Sequence, residues 1–326
     1  MSFTRPEVLM PLLAPVVAQD DLKRKLSSAV SQYTRFLEDP AVGRPIVCVY
    51  GPSGAGKTFA VETLARGSNL SFTSVSGASI AVVSYKGLTL REVLFQHYLT
   101  HKTDTGVIFL DEIDKWCAGA MGVDTEIRTM GLKVQAELLR LLEAEEVVFQ
   151  EEAEDLPEMQ GVRFNTQKIA WVLAGAFVRL DAIIRKRLHN TNLPPDETWK
   201  WATPSDFVNY GMLPELAGRM STWAWVNPLK QMEMVRIVKE QEVPRWIALF
   251  KNIDCDLTID DGALGRAAET AFFEHTGARG AISFLRRSME DLYYEASNHH
   301  LPTVHVDARL VITGRLEVMA GGLQAS

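Results

Sequence analysis

Cysteine is scarce in this 326-residue chain: Cys48, Cys117 and Cys255 are the only three. They lie too far apart in sequence for a CxxC metal site or a disulfide framework, which suits a reducing compartment. No run rich in lysine and arginine stands out either, and 34 basic against 41 acidic side chains give a formal charge of −7. Nucleic-acid backbones are held by clustered cations, so a nucleic-acid partner is not expected. Long apolar runs are also missing. The longest, Ile169 to Val178 (IAWVLAGAFV), falls far short of the roughly 20 residues of a membrane helix and reads as a buried strand. Val8 to Gln19 resembles the core of a leader peptide, but Glu7, Pro11 and Pro15 interrupt it, so it reads as mature protein. The expectation is a cytoplasmic protein with no membrane partner. His299, His300 and His305 have no acidic or thiol neighbours at ligand spacing and read as surface residues. No internal repeat is evident.

Against these absences, one segment stands out. Gly51-Pro52-Ser53-Gly54-Ala55-Gly56-Lys57-Thr58 fits the phosphate-loop pattern GxxxxGK[ST] at every fixed position. Its glycines let successive N–H groups and the start of the next helix point at phosphate oxygens. Lys57 then reaches the β- and γ-phosphates, and Thr58 holds Mg²⁺. The context required of such a loop is present: the apolar run Ile46 to Tyr50 reads as a buried parallel strand, and Thr58 to Arg66 reads as a helix ending near Gly67. ATP with Mg²⁺ is therefore the expected cofactor.

A second apolar run, Val107 to Leu110, ends in Asp111-Glu112-Ile113-Asp114, the Walker B pattern. In open α/β sheets ligands collect outside the carboxyl ends of the strands, so Asp111 and Glu112 can stand beside the phosphate loop. Asp111 is the candidate for the Mg²⁺ shell. Glu112 is the candidate general base that orients and deprotonates the attacking water. Two carboxyl groups at one strand end repel each other unless a cation lies between them or water screens them, and magnesium would supply the cation.

At this length, with 47% hydrophobic residues, about two domains are expected. Candidate strands are Ile46 to Tyr50, Leu70 to Val75, Val107 to Asp111, Ile169 to Ala174 and Thr222 to Val226, alternating with helical stretches in the manner of a parallel-sheet α/β domain. After Asn227-Pro228 the pattern turns to amphipathic helices, Leu229 to Phe250 and Asp260 to His275, with short strands at Cys255 to Ile259 and Leu310 to Ile312. The expected boundaries are a large α/β domain over 1–227 and a smaller, mainly helical domain over 228–326. Trp199 and Trp201 are expected to pack across the sheet, the alternative being an anchor for a partner, and Trp223 and Trp225 to share a core-facing side of the last strand.

The order of these motifs resembles the AAA+ unfoldases of the ClpX and HslU type, over nearly all of residues 14 to 315. Val16-Val17-Ala18-Gln19 resembles the family's adenine-contacting segment, and the helix Asp21 to Glu38 follows it. Ser84-Tyr85-Lys86-Gly87 lies where the family has its first pore loop. Ile169 to Phe177 is similar to the sensor strand. Phe207 to Met220 (FVNYGMLPELAGRM) resembles the segment that carries the arginine finger, here Arg219. Thr276 to Gly280 is similar to the second sensor, here Arg279.

The resemblance implies a P-loop AAA+ fold and a nucleotide site made of Val17, Gly51 to Phe59 and Arg279. It implies metal contacts from Thr58 and Asp111, and catalysis by Glu112, Lys57 and Arg219. Arg219 acting on a neighbour requires an oligomer, and the closed solution is a ring, in this family a homohexamer. An arginine supplied in trans can raise turnover by about 10³-fold or more. Tyr85 and Lys86 would grip a protein substrate in the channel.

Four departures shape the expectation. With Cys48 as its first cysteine, the chain shows no zinc-binding N-terminal domain. Arg187 to Lys200 lacks the docking tripeptide, so no peptidase partner is expected. Glu151 to Asp155 makes an acidic run where ClpX has a basic loop at the pore entrance; it would favour basic tails, or it is a solvated hairpin tip. Ala174 replaces a polar sensor-strand residue, so hydrolysis is slowed or another side chain serves. The alternatives left open are a peptidase-associated subunit, a nucleic-acid loader and a nucleotide-gated scaffold.

Overall fold

Ile46–Tyr50 form strand β1, and all five residues are buried because both faces of the strand are covered. The computed structural model describes residues 4–80, 87–117, 125–143, 146–189 and 192–313. After β1 come β2 (Phe72–Ser76), β3 (Gly106–Asp111), a short antiparallel hairpin of β4 (Val147–Val148) and β5 (Arg163–Phe164), β6 (Ile169–Gly175) and β7 (Thr222–Trp225). The five longer strands form one parallel sheet in the order β2-β3-β6-β1-β7. The central strands β1, β3 and β6 are the apolar runs read from the sequence.

Alternation along these strands sorts their side chains onto two faces. Cys48, Tyr50, Ile108, Leu110, Trp171 and Leu173 join a core with Leu94, Leu138 and Phe207. Val47, Val107, Ala170 and Val172 face Leu26 and Val30 of the helix Asp20–Glu38 and Leu64 of the helix Lys57–Gly67. By the same alternation Asp111 falls on the side of the helix Lys57–Gly67.

By its internal contacts the chain divides into two units, Met1–Pro52 with Lys57–Asn227, and Ser53–Gly56 with Pro228–Ser326. The second contains the helices Gln231–Gln241, Val243–Lys251, Asp261–Phe273, Gly277–Asn298 and Ala308–Thr313, and a parallel pair of strands, β8 (Asp256–Ile259) and β9 (Thr303–Val306). Among the described residues no helix is long and apolar enough to cross a membrane.

Several expectations need correction. Leu229 to Phe250 is not one helix: it breaks at Glu242, and Pro244 stands in the first turn of the next helix, where its missing N–H costs nothing. Leu310 to Ile312 is helical, because the Asp307 carboxylate accepts the N–H groups of Arg309 and Leu310, each at 2.8 Å, and starts a helix there. Trp199 packs against Tyr50, but Trp201 is 52% exposed. Trp223 and Trp225 do face the core, yet both are only half-buried, since β7 is an edge strand. In the acidic run, Arg91 binds Glu152 and Ala153 is buried, leaving Glu154 and Asp155 exposed.

Candidate nucleotide site

The phosphate loop leaves the carboxyl end of β1 with three glycines at positive φ: Gly51 at 132°, Gly54 at 71° and Gly56 at 90°. At Gly51 a side chain is excluded twice, since a Cβ would also come within 2.5 Å of the Val226 carbonyl oxygen. Lys57 opens the helix that follows and is buried. Its ammonium donates to the carbonyl oxygens of Gly51 at 2.7 Å and Pro52 at 2.9 Å, which holds it inside the loop. Phe59, on the same helix, is 38% exposed.

Thr58 and Asp111 meet where the two neighbouring elements end. The Thr58 hydroxyl donates to Asp111 Oδ2 at 2.9 Å. Glu112 leaves the strand at φ 56°, which turns it away from the direction of β3, and its N–H donates to Asp111 Oδ1 at 2.8 Å. Its carboxylate is exposed and accepts the Ser76 hydroxyl at 2.9 Å. The last carbonyls of β6 tie these pieces together: Gly51 N–H donates to Gly175 O at 3.3 Å and Ile113 N–H to Ala174 O at 2.9 Å.

These residues fit a nucleoside triphosphate with magnesium. Glycines at positive φ, a helix N-terminus and a buried lysine supply positive potential to phosphate groups. Thr58 and Asp111 bring two hard oxygen donors to one point. Among the described residues no group of three His, Cys, Asp or Glu side chains could cage a metal. That donor set suits Mg²⁺, which commonly binds one or two protein oxygens and takes the rest from phosphate and water.

Known proteins resemble this chain in sequence. Residues 47–190 match the ATPase family associated with various cellular activities (AAA). The ATP-dependent Clp protease ATP-binding subunit ClpX of Treponema denticola is 28% identical, over 92% of this chain and 78% of that protein. The same subunit from Borrelia duttonii is 27% identical over 86% of this chain and 71% of that protein. That from Bacteroides thetaiotaomicron is 27% identical over 86% and 74%. Over most of its length the chain is similar to ClpX-type AAA+ ATPases.

Other residues named by resemblance to this ATPase class fall in separate places. Val17 is buried, and the next two residues are both left-handed, Ala18 at φ 56° and Gln19 at φ 62°. Arg219 ends the helix Pro214–Arg219, is exposed, and donates to Glu143. Arg279 is exposed in the first turn of the helix Gly277–Asn298 of the second unit. Tyr85 and Lys86 lie outside the described residues. Ala174 has its methyl group fully buried.

Three further polar residues make contacts to which the sequence reading assigned no role. Ser76 ends β2 in register with Asp111, and that pairing across strands distant in sequence is what brings its hydroxyl to Glu112. Asp114 closes the same acidic stretch but is 5% exposed and accepts the Ala176 N–H at 3.2 Å. Burial raises its carboxyl above the ordinary range, with Lys115 and the backbone bonds opposing. Gln19 is buried and holds both polar groups of the Asn227 backbone: its Nε2 donates to the carbonyl at 2.9 Å, and its Oε1 accepts the N–H at 2.8 Å. A polar residue inside the segment Val16 to Gln19 was the available signal; its partner, more than two hundred positions away, was not.

Proposed function

We propose that the chain is the motor subunit of a homohexameric ring that couples ATP hydrolysis to the unfolding or remodelling of a protein substrate. The meeting of Lys57, Thr58, Asp111 and Glu112 at the carboxyl ends of β1 and β3 supports this reading most strongly. The ClpX relatives supply the class of work.

Lys57 and the loop N–H groups hold the phosphates of the substrate ATP. Thr58 and Asp111 would hold magnesium, which when bound offsets phosphate charge. Glu112 orients a water and takes its proton as the water oxygen attacks the γ-phosphorus and the bond to the β-phosphate oxygen breaks. Ser76 keeps one carboxylate oxygen of Glu112 in place and leaves the other for that water. In this reading Ser76 supplies side-chain help at a site whose sensor strand carries Ala174.

Arg219, exposed at a helix end, serves the nucleotide of a neighbouring subunit, and this is the reason for a ring. Arg279 senses the nucleotide from the helical domain, 228–326, and the rotation about Asn227-Pro228 moves the loop bearing Tyr85 and Lys86 along an extended polypeptide. The location is cytoplasmic, with no membrane or nucleic-acid partner. The relatives' names as protease subunits favour a peptidase-bound variant of the same reading; pull-down with a peptidase decides it.

Arg219→Ala is expected to abolish hydrolysis while sparing ATP binding, and retained hydrolysis removes Arg219 from the site. Tyr85→Ala is expected to leave ATP turnover while uncoupling it from unfolding of a tagged test protein. Undiminished unfolding overturns the threading reading.

A further inference from the structure

The helix Thr125–Glu143 does more than cover the sheet: it carries the helix Pro214–Arg219 at both ends. At the near end Gln135 is fully buried. Its Oε1 accepts Leu213 N–H at 2.7 Å, and its Nε2 donates to the carbonyls of Gly211 at 3.3 Å and Trp116 at 3.2 Å. Gly131 permits this closeness, since a Cβ there would come within 2.1 Å of the Trp116 carbonyl oxygen. At the far end Glu143 accepts a hydrogen bond from Arg219 Nη2.

A second cation frames that contact. Arg44 donates to Thr166 O at 2.6 Å and to the carbonyl of Leu142, the residue just before Glu143. Burial, and after it the charge of Arg219, lower the Arg44 guanidinium to about 10 with Tyr33 opposing, so the two cations feel each other. Glu143 therefore sits at a helix end whose last turn is held by Arg44 through the Leu142 carbonyl, and it pairs with the exposed Arg219. An ion pair open to solvent on both sides is weak and is readily exchanged for a stronger anion. A bond through one terminal nitrogen does not exhaust the five N–H groups of a guanidinium fork.

We propose that Glu143 is a positioning residue that holds the Arg219 guanidinium out at the subunit surface, oriented for the triphosphate of a neighbouring subunit. This rests on the reading of Arg219 as a residue acting in trans. A free arginine side chain samples many rotamers, and small misplacements of a charged group cost rate. Glu143 narrows that freedom without burying the charge.

The test is steady-state ATP turnover by the assembled full-length protein carrying Glu143→Gln or Glu143→Asp, with Arg219→Ala beside them. An exposed pair is worth a factor of up to about five. Glu143→Gln is expected to lower kcat about two- to fivefold with KM for ATP changed less than twofold, and Glu143→Asp, which keeps the charge, to recover part of it. The trans role is read from mixed rings. Glu112→Gln subunits that also carry Glu143→Gln should slow hydrolysis by wild-type neighbours more than Glu112→Gln subunits alone. Equal effects of the two, or unchanged kcat in Glu143→Gln, overturn the role of Glu143 and leave Arg219 in place. Hydrolysis that survives Arg219→Ala overturns the Arg219 reading itself, and the proposal with it.

Discussion

Removing the Ser76 hydroxyl breaks the hydrogen bond that the end of β2 gives the Glu112 carboxylate. The bond is 2.9 Å long and open to solvent, so its worth falls below the usual range for a hydrogen bond to a charged group, to about 1 kcal/mol. Applied to the orientation of a general base, that corresponds to about a fivefold fall in kcat. KM for ATP should hold, since Ser76 is not placed on the phosphates. The same oxygen also accepts Ala78 N–H at 3.3 Å, so Ser76→Ala loosens the turn Gly77–Ser79 as well. Thermal melting measures that separate loss, and Ser76→Thr, which restores a hydroxyl on the same atom, should restore turnover. The assay is ATP hydrolysis at saturating nucleotide. A kcat that rises in Ser76→Ala would refute the reasoning, because the bond would then be restraining Glu112 rather than aiming it.

Three further perturbations test other parts of the account. Gln135→Leu strips hydrogen bonds from Leu213 N–H and the Trp116 carbonyl and should destabilise the fold by about 2–4 kcal/mol in urea titrations; a loss under 1 kcal/mol shows that the fork carries little. Gly51→Ala places a Cβ within 2.5 Å of the Val226 carbonyl at φ 132° and should remove detectable binding of a fluorescent ATP analogue, so normal affinity contradicts the loop geometry. His97 is fully buried between Thr73 and the Thr105 carbonyl; burial lowers it from 6.5 to about 4, the Thr105 bond opposing and His101 adding to the fall. The unfolded chain therefore gains a proton near pH 6.5 that the folded chain refuses. Stability should drop by roughly 3 kcal/mol as pH falls from 6.5 to about 4 and then level off. The pH dependence of the urea midpoint reads this, and an unchanged slope in His97→Gln contradicts it.

The elements most legible in the sequence were those whose residues are decided locally. β1, β3 and β6 are continuous apolar runs because both faces are covered, and the glycines and Lys57 between β1 and the next helix follow from the backbone a phosphate loop needs. Local reasoning failed where a single capping or breaking residue outranked the apolar pattern, as Pro244 does inside Leu229 to Phe250 and Asp307 does before Leu310. It failed again where register or tertiary contact chooses the partner. Nothing near Ser76 in sequence points to Glu112, and nothing near Arg219 points to Glu143. Glu152 reads as one more charge in an acidic run until Arg91 engages it.

The central claim is that ATP drives this chain, as a ring, to act on a protein held in its channel. Its most direct test is to purify the Glu112→Gln protein with ATP from its native cells, measure the mass of the complex, and identify what it retains. The account predicts a hexamer with bound protein that is released when ATP is removed. A monomer, an empty ring, or a ring that retains nucleic acid would contradict it.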